Sequence, residues 1–387
     1  MDVYKSDTVI SAAAFADTKP HYELLDGLRG VAALVVIWYH IFEGFATSPM
    51  DQQFNHGYLA VDFFFILSGF VIGYAYDDRW KANLKVKDFI RRRLIRLHPM
   101  VVLGAVLGSI TFCMQGCEKW DGTTVPLSFL LLSLLFHLFL IPALPGSVPE
   151  VRGNGEMYPL NGPSWSLFFE YVGNLLYALL IRRLSTKALA VLVGLTAMGL
   201  ASFALFNFSG YGHLGVGWSL ADNNLIGGFL RLGFSFSAGL LISRIFKPIY
   251  IRGAFWICSL LIVILLSLPY VGDGETPWVN GLYDSVCTLV FFPLLVYLGA
   301  SGKATDARTF RVCRFLGDIS YPLYIIHYPF MYLFYAWLWS GEKLPFSQVW
   351  PIAVCLFLGC IALAYLCLRW YDEPLRRWLG KRYFVSR

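Results

Sequence analysis

Arg29 and His40 are the residues whose types and spacing first suggest chemistry. Both lie in the stretch from Leu25 to His40, which is otherwise apolar enough to enter a bilayer. An ionisable side chain inside hydrocarbon is costly and by default marks a site. At 3.6 residues per turn, the step from 29 to 40 is close to three whole turns, so the two side chains share one helical face about 16 Å apart along the axis. A fixed cation then stands at one end of a track and a titratable group at the other. Histidine titrates nearest neutral pH and is the side chain best suited to remove a proton from a hydroxyl. Asp26, one turn before Arg29, is placed to pair with it.

Other groups carry weaker signals. Arg92, Arg93 and Arg96 form a cluster before a later apolar segment. The guanidinium fork suits phosphate groups, although such clusters also hold loops on the cytoplasmic side. Ser166, Glu170 and Asn174 recur at i, i+4 and i+8 and form a polar stripe on one helix. A carboxylate there must be paired, protonated or facing water, and Arg231, within another apolar segment, is a candidate partner. Ser320, Tyr324 and His327 share a helical face by the same spacing and either line a pocket or pack. Ser68-Gly69 lacks the strand–turn–helix setting of a nucleophile elbow, and the small pair suits close helix approach. His21, His56, His137 and His213 read as structural or solvated, and Glu373-Pro374 as a helix stop. The eight cysteines show no metal-ligand spacing, so no metal site is expected. Cys113 and Cys117 leave a bridge open.

The elements that must position these residues are membrane helices. The chain is 57% hydrophobic and 14% charged, where soluble domains carry about 25% charged residues. The net charge of +6 is spread in short basic clusters between apolar segments, which argues for membrane orientation and against a nucleic-acid partner. The expected fold is an all-α polytopic bundle with spans near 28–46, 57–76, 98–115, 164–182, 188–207, 223–245, 254–269, 281–299, 316–338 and 350–370. Basic clusters at 79–96, 182–187, 244–252, 303–314 and 376–382 place those loops and both termini in the cytoplasm. The short apolar run 127–141 then cannot cross, and is expected to be re-entrant or interfacial. Residues 1–22 read as a polar cytoplasmic tail, 23–378 as one membrane domain and 379–387 as a basic tail.

Several of these stretches, in this order, resemble the acyltransferase-3 family of integral membrane acyltransferases. They are Arg29 and His40 with ten residues between them, Val61-Asp62-Phe63-Phe64-Phe65-Ile66-Leu67-Ser68-Gly69-Phe70, Arg92 to Pro99, Trp165 to Glu170, Ile319 to His327 and Glu373-Pro374. Many family members have an aromatic residue where this chain has His98. The resemblance implies transfer of an acyl group, usually acetyl, from cytoplasmic acyl-coenzyme A to a hydroxyl of a carbohydrate or lipid-linked glycan, in a bacterial inner membrane. On that reading His40 and Glu170 are catalytic, Arg29, Arg93 and Arg96 hold the donor, and Ser166, Arg231, Tyr324 and His327 contact substrate. Intramembrane His, Glu and Arg also serve transporters and flippases. Against that alternative, the chain has no paired Gly/Pro-broken helices in corresponding halves.

Overall fold

The computed structural model describes residues 21–249, 251–304 and 306–385. Most of the expected N-terminal tail, residues 1–20, and residues 386–387 of the basic tail lie outside that range. Among the described residues the chain is helical, with two isolated β-bridges. In chain order the main helices are α1 (Glu23–Glu43), α2 (Ala60–Lys81), α3 (Val86–Met114), α4 (Leu127–Leu138), α5 (Ser164–Leu179), α6 (Thr186–Leu205), α7 (Asn224–Ile245), α8 (Ala254–Ser267), α9 (Pro277–Ser301), α10 (Ala307–Trp339), α11 (Phe346–Cys367) and α12 (Glu373–Gly380).

Among the described residues, eight helices are long and apolar enough to cross a membrane. The other two expected spans differ from them for separate reasons. Helix α8 has only 14 residues, where a crossing needs about 20. Helix α10 is long, at 33 residues, but its Ser320, His327 and tyrosines, four of which line the cavity, make it more polar. Helix α4, the run expected not to cross, has 12 residues. Its Leu127, Leu131, Leu135 and Phe139 form an exposed stripe at helical spacing, as on a helix lying along hydrocarbon.

Two tight pairs form the centre of the bundle: α1 on α10, and α2 on α7. The second is made possible by glycines on both helices. Gly69 faces the Phe236 carbonyl and Gly239 faces the Ile66 carbonyl, with no room for a Cβ on either. That is how membrane helices approach closely when hydrophobicity cannot drive them together.

Prolines inside α10 open backbone groups for other segments. A proline lacks the N–H that would bond the carbonyl four residues back, so Pro329 frees the Ile325 carbonyl. Asn161 Nδ2 donates to it at 2.8 Å, which pins the 139–163 segment onto α10. Glu373-Pro374 does not stop the helix: α11 runs through a π turn at Leu368–Asp372 directly into α12. The π turn accommodates the missing hydrogen bond of Pro374. Cys113 and Cys117 are free thiols.

Basic loops gather at one end of the bundle. Arg244 pairs with Asp77 at 2.9 Å, and Arg182 lies over the Trp80 ring at 4.1 Å. At the other end the loops 44–59, 139–163 and 206–223 close over a cavity.

Candidate active site

Helix α1 connects the two ends. At the basic end Arg29 donates to Ser320 Oγ at 2.8 Å and to the Gly317 carbonyl at 3.2 Å. It pairs with Asp26 at 3.1 Å, as the one-turn spacing suggested. Arg96 and Arg376 lie within electrostatic reach of Arg29. Arg96 is exposed, and no carboxylate pairs with it among the described residues. Arg376 is held by Asp372 at 2.9 Å. Three guanidinium groups thus converge at the start of α1. Arg376 read in the sequence only as a topology signal, because nothing in its local spacing links it to Arg29.

Arg93 takes a different partner. It donates to Glu170 at 2.7 Å, and Ser68 Oγ donates to the same carboxylate oxygen at 3.1 Å. The expected Glu170–Arg231 pair is not formed. Arg231 and Asp62 are instead fully buried together, 2.7 Å apart. Arg231 also donates to the carbonyls of Val216 and Tyr58, each at 2.7 Å, and lies 5.2 Å from the centre of the Trp165 ring. A guanidinium inside a bundle has five donors to satisfy, and a carboxylate with two carbonyls does so better than one distant Glu170.

At the far end of α1, His40 faces a cavity of about 580 Å³. Its Nδ1 lies 2.7 Å from Glu43 Oε2. A carboxylate oxygen accepts, so Nδ1 carries a proton, and in the neutral imidazole Nε2 then presents its lone pair. Tyr335 donates to Glu43 at 3.0 Å and to the His40 carbonyl at 2.6 Å. The His40 imidazole, the Glu43 carboxylate and the Tyr335 hydroxyl therefore form one hydrogen-bonded chain. Glu43 escaped the sequence reading although it lies three residues after His40, a spacing that places neighbours on a helix.

Of the other expected substrate contacts, Arg231 and Tyr324 line this cavity. Ser166 and His327 are buried behind it. Ser166 Oγ and the Tyr324 hydroxyl are 2.7 Å apart, and the His327 ring lies 5.4 Å from that of His40. Seven tyrosines and four tryptophans line the cavity, with Glu156 and His213 contributed by loops. Burial raises the Glu156 carboxyl to about 7, opposed by its bond from Tyr332 and by nearby Arg152. His213, taken as structural or solvated from the sequence, lines the cavity. Burial lowers it to about 4, with His56 and Arg231 adding to the effect, so it is neutral at pH 7. His56 and His137 are structural: His56 bonds the Leu268 carbonyl at 2.8 Å and His137 bonds Ser164 Oγ at 2.8 Å.

A membrane-embedded helical bundle that sets an oriented imidazole at one end of a helix and clustered arginines at the other has the form of a membrane acyltransferase. Comparison with known proteins gives the family: the acyltransferase domain model of acyltransferase-3 matches residues 22–369, and the chain belongs to that family. Among its relatives, "Protein 2 in picA locus" of Rhizobium radiobacter is 33% identical over 185 residues, covering 45% of this chain and 90% of that one. "Acyltransferase MdmB" of Streptomyces mycarofaciens is 27% identical over 395 residues, with 92% of each chain covered. "Putative O-acetyltransferase" of Staphylococcus aureus (strain COL) is 26% identical over 91% of this chain, which spans 57% of that protein's length. No solved structure matches the chain.

Proposed function

We propose that this membrane acyltransferase moves an acyl group, acetyl in the first instance, from cytoplasmic acyl-coenzyme A to a hydroxyl of a carbohydrate or lipid-linked glycan in a bacterial inner membrane. The observation that carries this is the layout of α1. His40 faces the cavity with its Nδ1 held by Glu43, and Arg29, about three turns away, joins an arginine cluster at the basic end. Phosphates cannot cheaply enter hydrocarbon, so the donor's charged end belongs with Arg29 and Arg96, and with Arg93 where it shares Glu170. The extended arm of coenzyme A then carries the thioester along α1 towards His40. Tyr and Trp walls suit the apolar faces of a sugar ring, and the carboxylates and amides between them suit its hydroxyls.

In this reading His40 Nε2 removes the acceptor's proton as the oxygen attacks the thioester carbonyl. Glu43 stabilises the imidazolium that forms. Ser166, Tyr324 and His327 shape the cavity wall around the reacting groups, and Arg231 holds that wall through Asp62. Glu170 orients Arg93 at the donor end.

The test is release of free thiol from acetyl-coenzyme A by purified protein, dependent on a glycan acceptor. Arg29→Ala should raise the donor KM by at least about tenfold, the order expected when a charge-assisted contact worth 1.5–3 kcal/mol is lost. It should leave kcat within about twofold, because uniform binding alone is removed. An unchanged donor KM would show that the phosphates bind elsewhere.

A further inference from the structure

Acyl transfer through a tetrahedral intermediate needs hydrogen-bond donors for the carbonyl oxygen as it becomes negative. His40 cannot serve, since its Nδ1 proton points at Glu43 and its Nε2 is the base. Arg231 is a poorer candidate, because its side chain is fully buried and each of its three nitrogens already donates to Asp62 or to a carbonyl.

The tyrosines of the cavity sort cleanly by their partners. Tyr335 is bonded to Glu43, Tyr324 to Ser166, Tyr332 to Glu156 and Tyr58 to Asp284. Tyr211 lies against His213 and Trp218 and makes no ring contact with His40. Tyr39 and Tyr328 remain. Both line the cavity, and neither side-chain hydroxyl is bonded to a described residue. Their rings stand edge-on to the His40 imidazole, at 4.8 Å for Tyr39 and 4.7 Å for Tyr328. Each is also seated on a glycine. A Cβ at Gly57 would run into the Tyr39 side chain, and one at Gly162 would come within 2.8 Å of Tyr328 Cε1. The backbone is thus pared away behind both rings, and Asn161 bonds the Ile325 carbonyl at 2.8 Å to hold the Gly162 segment in place.

We propose that the hydroxyls of Tyr39 and Tyr328, whose rings both stand against His40, form the oxyanion hole of this enzyme. The proposal rests on the reading of His40 as that base. His40 Nε2 takes the acceptor's hydroxyl proton while the oxygen bonds to the thioester carbon, and the carbonyl π pair moves onto its oxygen. The two tyrosine hydroxyls donate to that oxygen. The pair then returns, the carbon–sulfur bond breaks, and the departing thiolate takes the proton from His40. The products are an ester and a free thiol.

The experiment compares purified wild type with Tyr39→Phe, Tyr328→Phe and the double variant. It measures thiol release and ester formation at saturating acetyl-coenzyme A, together with binding of a non-hydrolysable donor analogue. Losing one oxyanion donor should lower kcat by about 10²-fold, with donor binding unchanged. The double variant should be slower still. A double variant with wild-type kcat would overturn the proposal, as would variants that lose donor binding in proportion to turnover. Should a Phe variant fail to fold, fluorotyrosine at position 328 keeps the ring and makes the hydroxyl a stronger donor; an unchanged kcat there would equally overturn it. Wild type that releases no thiol would instead refute the proposed function.

Discussion

His40→Ala should bind the acyl donor as wild type does and lose the chemical step. A positioned general base is worth about 10²–10⁴-fold, and the fall should appear in kcat and kcat/KM alike, because the interaction lost is made only in the transition state. Calorimetry with a non-hydrolysable donor analogue, run beside turnover, separates the two quantities. Retained turnover would mean that His40 is a structural imidazole and that Glu43 merely satisfies it.

The second large effect is on stability. Arg231→Met leaves the Asp62 carboxylate fully buried with its bidentate partner gone. Breaking a buried pair by removing one member costs about 3–5 kcal/mol, because the remaining charge is uncompensated. The variant should therefore unfold at clearly lower temperature in detergent, and the cavity wall formed by Arg231 should go with it. Removing both charges, as Asp62→Leu with Arg231→Met, should recover much of that loss. If the single variant is as stable as wild type, the pair does not hold this wall.

These two sites differ in how far the sequence revealed them. The His40–Arg29 relation was legible because it lies within one helix, where the 3.6-residue period turns spacing into geometry. Eight of the ten expected spans were legible for a similar reason: hydrocarbon thickness fixes the length of an apolar helix. Partnerships between helices carry no such period. Asp62 and Arg231 are 169 residues apart, so the sequence offered Arg231 only as a candidate partner for Glu170 and carried no signal for the pair that forms in space. Tyr39 sits beside His40 in the chain, yet its role as a neighbour of the base depends on where Gly57 lies. Tyr328 adjoins His327, which had drawn attention first because it is ionisable. In the fold His327 is buried behind the cavity, and the tyrosine faces it. Glu156 and His213 belong to loops, where neither length nor periodicity signals a site.

On the proposed reading, donor and acceptor meet from opposite sides at His40. Sealed vesicles carrying purified protein test it most directly, with acetyl-coenzyme A present only on the side of the basic loops and a glycan acceptor enclosed on the other. The account predicts free thiol on the donor side and acylated acceptor on the opposite side, with no coenzyme A crossing. Passage of intact acetyl-coenzyme A through the protein, or acylation only when both substrates share one side, would contradict it.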